Sequence, residues 1–184
     1  MQTKLRTCAA SALLAIASIG AAQAASMSVS SSSFAEGQRV PLALVGAEAA
    51  CGSGQALSPQ VGWSNLPDGT RSVAVVLFDP DGSKGLGVVH WVAYNIDPAR
   101  GQLRQGEAPG SIQGVSVGNN SNGAPAYRGP CPPAGDNPHH YVMTVIASDL
   151  APDALPAGLG RDELLARLKG HALGGQSIVG TYGH

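Results

Sequence analysis

The 184-residue sequence is short of the features that mark several protein classes. It has no run of Lys or Arg, and its 11 basic residues are balanced by 12 acidic ones, so it lacks the electropositive face that nucleic acid requires. Charged residues are only 12% and aromatics 4%, whereas Gly occurs 25 times and Pro 13 times. That balance disfavours a helical bundle and favours a loop-rich β protein. No apolar run is long enough for a comfortable membrane span. No Walker-type or dinucleotide-type glycine loop is present, nor H-E-x-x-H, nor a Cys/His zinc spacing. There is no internal repeat and no interdomain linker.

What is present begins with a leader. Lys4 and Arg6 precede an apolar or small stretch, residues 8–22, and Ala22-Gln23-Ala24 has the small-x-small pattern of a cleavage site. Together these read as a secretory signal peptide, residues 1–24, removed after Ala24. Residues 25–184 then form one domain in the periplasm or outside the cell, with no transmembrane segment after processing. Removing Lys4 and Arg6 leaves 9 basic against 12 acidic residues, a net charge of −3. Two cysteines remain, Cys51 and Cys131, both in Gly/Pro-rich loops. In an oxidising compartment such a pair readily forms a disulfide, with two buried free thiols as the alternative.

Three stretches carry most of the branched and aromatic side chains. They are residues 72–81 (SVAVVLFDPD), 88–96 (VVHWVAYNI) and 127–149 (YRGPCPPAGDNPHHYVMTVIASD). Each holds a predicted strand. Residues 40–45 and 61–66 are shorter strand candidates, and the serine-rich 26–33 is a lead-in or an edge strand. The long Gly/Asn-rich segment 100–126 is expected to be functional or to cover the core. Residues 161–169 (RDELLARLK) predict a helix, with acids early, bases late, a Leu164-Leu165-Leu168 stripe and Gly170 at the stop. His171 reads as a cap or packing residue and His184 as a solvated tail.

The polar residues of the three stretches are not scattered. Asp79 and Asp81 stand where the first run ends, His90 lies inside the second, and His139, His140 and Tyr141 open the strand of the third. Strand alternation puts His90 on a face with Val88 and Val92, and His139 with Tyr141 and Met143. Imidazoles on apolar faces need partners, and one shared pocket would supply them. Such residues also ligate zinc, but the adjacent His139 and His140 must point to opposite faces, and no metal or cofactor is expected. Gly114-Val115-Ser116-Val117-Gly118 matches the nucleophile-elbow pattern, yet the Asn/Ser/Gly run after it cannot supply the helix that the elbow needs.

In order along the chain stand Asp79-Pro80-Asp81, then Val89-His90-Trp91-Val92-Ala93-Tyr94-Asn95-Ile96, then Tyr127-Arg128-Gly129-Pro130-Cys131-Pro132-Pro133-Ala134-Gly135, then His139-His140-Tyr141. Cys51-Gly52-Ser53-Gly54 with Ser58-Pro59 and Trp63 precedes them, and Gly170-His171 and Gly180-Thr181-Tyr182 follow. This series closely resembles the phosphatidylethanolamine-binding protein family, most of all its bacterial, Raf-kinase-inhibitor-like branch. The resemblance implies a mainly β fold: a sandwich with a large central sheet and short peripheral and C-terminal helices. It implies a small cavity for phosphate-like anions, with Asp79, His90, His139 and Tyr141 at the cavity positions, Cys131 and Pro132 on its rim, and Asp81 in support. It implies a non-enzymatic binder of a small anionic ligand, monomeric or homodimeric. A protein-interaction or inhibitor module is the alternative, and a weak hydrolase using His90 and His139 as acid and base is a third. Two departures from the pattern stand out. Gly82-Ser83 replace the usual Ala-Pro, which predicts a looser cavity wall. His140 replaces the usual Arg, which puts a salt bridge to an acidic residue in doubt.

Overall fold

A strand whose side chains are apolar on both faces needs cover on both. The computed structural model, which describes residues 26–108 and 112–184, provides that cover for the stretch 72–78. The leader and its cleavage site lie outside the described residues. Among those residues the strands are β1 Ser28–Ser30, β2 Val61–Ser64, β3 Ser72–Asp79, β4 Val88–Ile96, β5 Gln102–Leu103, β6 Ser116–Val117, β7 His139–Ser148 and β8 Ala172–Tyr182. They form two antiparallel sheets, a small one ordered β1-β2-β5 and a large one ordered β6-β4-β3-β7-β8.

β3 is central in the large sheet. Its Val73, Val75 and Leu77 face the small sheet, in a core with Val61, Trp63, Trp91, Met143 and Val145. Its Ala74 and Val76 face the other way, against Val92, Tyr94, Leu159, Leu164 and Leu168. The last two belong to the helix Arg161–Leu168, where both are buried. The helix is thus the lid that lets β3 be apolar throughout. Asp162 and Glu163 stand in its first turn and Arg167 in its last, as the helix dipole favours.

Two features differ from the sequence reading. Residues 40–45 contain a short 3-10 turn, Leu42–Leu44, in place of a strand. The eleven-residue β8 is a full partner of β7, from His139↔Tyr182 to Ser148↔Ala172. Its glycines hid it, and they are there for space. A Cβ on Gly180 would come within 2.8 Å of Val40 Cγ2 and 3.0 Å of Phe34, and one on Gly174 within 2.9 Å of Pro67. Loops pressed on the strand exclude side chains at those positions. The 26–33 segment supplies the edge strand β1.

Candidate functional site

Three strand ends meet at one end of the large sheet. Asp79 closes β3, His139 opens β7, and His90 sits near the start of β4. His90 reaches this place through a β-bulge. Leu77 pairs with Trp91 but Phe78 pairs with Val89, so His90 is the extra residue between them. A bulge re-aims the side chain that it inserts. Val92 keeps the helix side, as alternation requires, while His90 turns to the Asp79 side. The expected shared face of His90 with Val92 is therefore broken; Val88 does line the same cavity.

Asp79 is the hub. It is 3% exposed, and its Oδ1 accepts from the amides of Asp81 and Gly82, both at 2.9 Å. Its Oδ2 accepts from His139 Nδ1 at 2.8 Å and lies 3.9 Å from His90 Nε2. Burial alone would raise the Asp79 pKa, but the His90 and His139 rings and the Gly82 amide outweigh it, and the carboxyl is held below its ordinary range. An ionised Asp79 fixes the His139 tautomer, Nδ1–H toward the carboxylate, and leaves Nε2 for the cavity. His90 Nδ1 donates to the Arg128 carbonyl at 2.8 Å, which fixes its ring the same way. His90 Nε2 is buried with no hydrogen-bond partner.

The cavity over these rings has a volume of about 510 Å³. Asp79, His90, His139 and Cys131 line it, together with Gly82, Ser83, Arg128, Ser121 and Asn122. Tyr141 and Pro132 do not. Tyr141 lies beneath His90, edge-on, with ring centroids 5.2 Å apart. Its hydroxyl is buried and unpartnered, and burial with the nearby Asp79 charge pushes its pKa up, so it remains a donor. Pro132 is buried behind the rim, and Pro133 takes its place at the wall. A disulfide joins Cys51 to Cys131, with their Cα atoms 4.5 Å apart, and so ties the rim loop to the early turn Ala49–Cys51.

The sequence profile described as phosphatidylethanolamine-binding protein matches residues 30–183. The chain belongs to this family. A UPF0098 protein of Aquifex aeolicus is 33% identical over 158 residues, covering 85% of this chain and 88% of that one. A Mycobacterium tuberculosis protein named as a candidate lipoprotein, LppC, is 34% identical over 157 residues, covering 85% and 72%. The crystal structure of Escherichia coli YbcL, described as a new member of the mammalian PEBP family, superposes with a TM-score of 0.79 at 28% identity, covering 87% of this chain and 99% of that one. The expected family and the expected mainly β fold are both observed.

Both departures from the family pattern resolve in the geometry. The wall at Gly82 is tight, not loose. A Cβ there would come 2.7 Å from Val88 Cγ2 and 2.9 Å from Asp79 Oδ2, so Gly is what lets the amide reach the carboxylate. Ser83 and Lys84 follow with φ of 53° and 59°, a left-handed pair that side chains rarely adopt. His140 keeps an acidic partner despite replacing Arg. Asp81 Oδ2 accepts from its amide at 2.7 Å and its Nδ1 at 2.9 Å, and these bonds hold the Asp81 pKa down. His171 caps the far end, with Nδ1 bonded to Asp149 at 2.8 Å. His184 is not a detached tail: its Nε2 lies 3.0 Å from the Pro132 carbonyl.

Sequence reasoning missed Arg128, Ser121 and Asn122. Arg128 Nη1 donates to Asn122 Oδ1 at 3.0 Å, and both line the cavity. One signal was available. Arg128 is the only Lys or Arg between Arg104 and Arg161, and it stands inside the Tyr-Arg-Gly-Pro-Cys motif. Among the described residues no group of three or more His, Cys, Asp or Glu is placed to hold a metal ion, and no helix is long and apolar enough to cross a membrane.

Proposed function

We propose that this chain is an exported, non-enzymatic binding protein for small phosphate-like anions. One observation carries the reading. A buried His90 Nε2 without a partner and His139 Nε2 stand at the wall of a cavity that Arg128 also lines. Each ring has its Nδ1 engaged by a protein acceptor, which leaves Nε2 without a hydrogen bond among the described residues: that of His90 is buried 3.9 Å from Asp79 Oδ2, and that of His139 lies 3.6 Å from Asp136 Oδ2. When protonated, that nitrogen donates a charge-assisted hydrogen bond to an oxyanion. The family's description as binders of phosphatidylethanolamine supports a phosphate-bearing ligand. Binding rather than turnover is favoured because, among the described residues, no hydroxyl or thiol bonds either free ring nitrogen. The Cys51–Cys131 bond, the leader-like residues 1–24 and the lipoprotein name given to LppC support export to the periplasm or beyond.

Sulfate is the cleanest probe, because it does not titrate near neutrality. Its binding should be measured by calorimetry on the processed chain between about pH 5 and 8. A protonated ring donates to the anion whereas a neutral one presents a lone pair, so sulfate binding should weaken as pH rises. His139→Ala should weaken sulfate about tenfold or more, the size of one charge-assisted bond. His171→Ala, at the other end of β7, should change nothing. Equal sulfate affinity in wild type and His139→Ala across that pH range refutes the proposal.

A further inference from the structure

His139 meets a second carboxylate. The turn after the Cys131 rim has Gly135 left-handed at φ 93°, and the Asp136 amide donates to the Pro133 carbonyl at 3.2 Å. This turn carries Asp136 back over the cavity's histidine. Its Oδ2 lies 3.6 Å from His139 Nε2, the nitrogen that faces an incoming anion, while Asp79 holds Nδ1. We propose that Asp136 tunes the site's selectivity by anion charge, disfavouring doubly charged oxyanions relative to singly charged ones. The inference rests on the anion-binding reading above and deepens it.

The argument is a charge count. Among the residues that line the cavity, Arg128, His90 and His139 supply at most three positive charges and Asp79 one negative; Asp136 stands outside the lining but against His139, and its carboxylate lowers the net charge there from +2 to +1. Asp81 is turned away, engaged by His140 on the outer side of β7. Lys84 lies in the exposed turn beyond Ser83 and is not part of the cavity wall. The Asp136 carboxylate repels a dianion about twice as strongly as a monoanion at the same distance, so its presence reduces the advantage that a net-positive cavity gives to the more highly charged ion. Asp136 is the adjustable member of the set. Asp79 is buried and serves as the hub of the fold's strand ends, but the Asp136 side chain is 53% exposed and makes no hydrogen bond that the turn needs. It also stands on the nitrogen that an anion must reach, so it acts as a built-in competitor.

Methanesulfonate and sulfate form the test pair. They have similar oxygen faces, carry one and two charges respectively, and neither titrates between pH 5 and 8. Both are titrated calorimetrically into the processed wild type and into Asp136→Asn at pH 6 and low salt. Asp136→Asn should raise sulfate affinity about two- to fivefold more than methanesulfonate affinity, the range for one half-exposed unit charge. Asp136→Glu should restore the wild-type ratio. A purely structural role would move both ions by one factor. An unchanged sulfate-to-methanesulfonate ratio in Asp136→Asn, with both ions bound and both sensitive to His139→Ala, overturns this inference and leaves the anion pocket standing. Failure of the wild type to bind either ion overturns both.

Discussion

Replacing Asp79 by Asn tests whether its charge or only its shape organises the site. Asn keeps the volume, and its Oδ1 can still accept from the Asp81 and Gly82 amides, which lie 2.9 Å from Asp79 Oδ1. Its Nδ2 then faces His139 Nδ1, 2.8 Å from the present Oδ2, so two donors oppose each other. His139 must switch tautomer or lose its partner while only 7% exposed. A buried polar group left unsatisfied costs about 1–3 kcal/mol, and that is the expected loss at pH 7. The sign with pH follows from the lowered Asp79 pKa. The unfolded state takes up the proton first, so the stability contributed by ionised Asp79 is complete above about pH 5 and declines as pH falls below about 4 toward the folded value. Asp79→Asn has no such proton to gain. Urea titrations at pH 7 and at pH 3.5 should therefore show a gap between wild type and variant that narrows in acid. A loss below about 0.5 kcal/mol at pH 7, the size of an ordinary surface change, would show that the carboxylate is not the hub. A gap that widens in acid would refute the ionised assignment.

The Cys51–Cys131 bond closes a loop with a sequence separation of 80. Replacing both residues by Ser should cost about 4 kcal/mol in the chain-entropy picture, and peptide mapping after alkylation without reductant should show no free thiol at Cys51 or Cys131. Leu168→Ala should cost about 2–4 kcal/mol by denaturant titration, because Leu168 is 3% exposed in the cluster beneath the helix.

The fold was legible where one period ran unbroken. β3 and β7 declared themselves by branched residues, and the helix by its leucine spacing and its charges. β8 did not, although it pairs along the whole of β7. Its Gly174 and Gly180 answer to Pro67, Phe34 and Val40, which lie far away in sequence. The composition of a strand records its neighbours as well as its own backbone, and those neighbours cannot be read from a local window. The reverse error occurred at 40–45. There a run of apolar residues is buried through Leu44 and Val45, yet the chain turns. Burial explains the residue types equally well in a strand or in a turn.

The site was legible as a set of residues but not as a geometry. Asp79, His90 and His139 were marked by polarity on apolar runs, and they do converge. The means of convergence was hidden because it breaks the regularity used to read it. Alternation assigns His90 to Val92's face, and only the unpaired position between Val89 and Trp91 reverses that. Gly82 looked like a loss of packing and is instead small enough to stand against Val88 and Asp79 while its amide, with that of Asp81, reaches the carboxylate. Asp136 carried no signal in the sequence, and a left-handed Gly135 precedes the turn that sets it against His139. Each is a local departure from strand or turn statistics, and each places a hydrogen-bonding or charged group within 4 Å of one histidine–carboxylate pair. Strained or irregular backbone persists only where its surroundings hold it in place, so three such departures around one pair support the proposed binding role over a packing compromise.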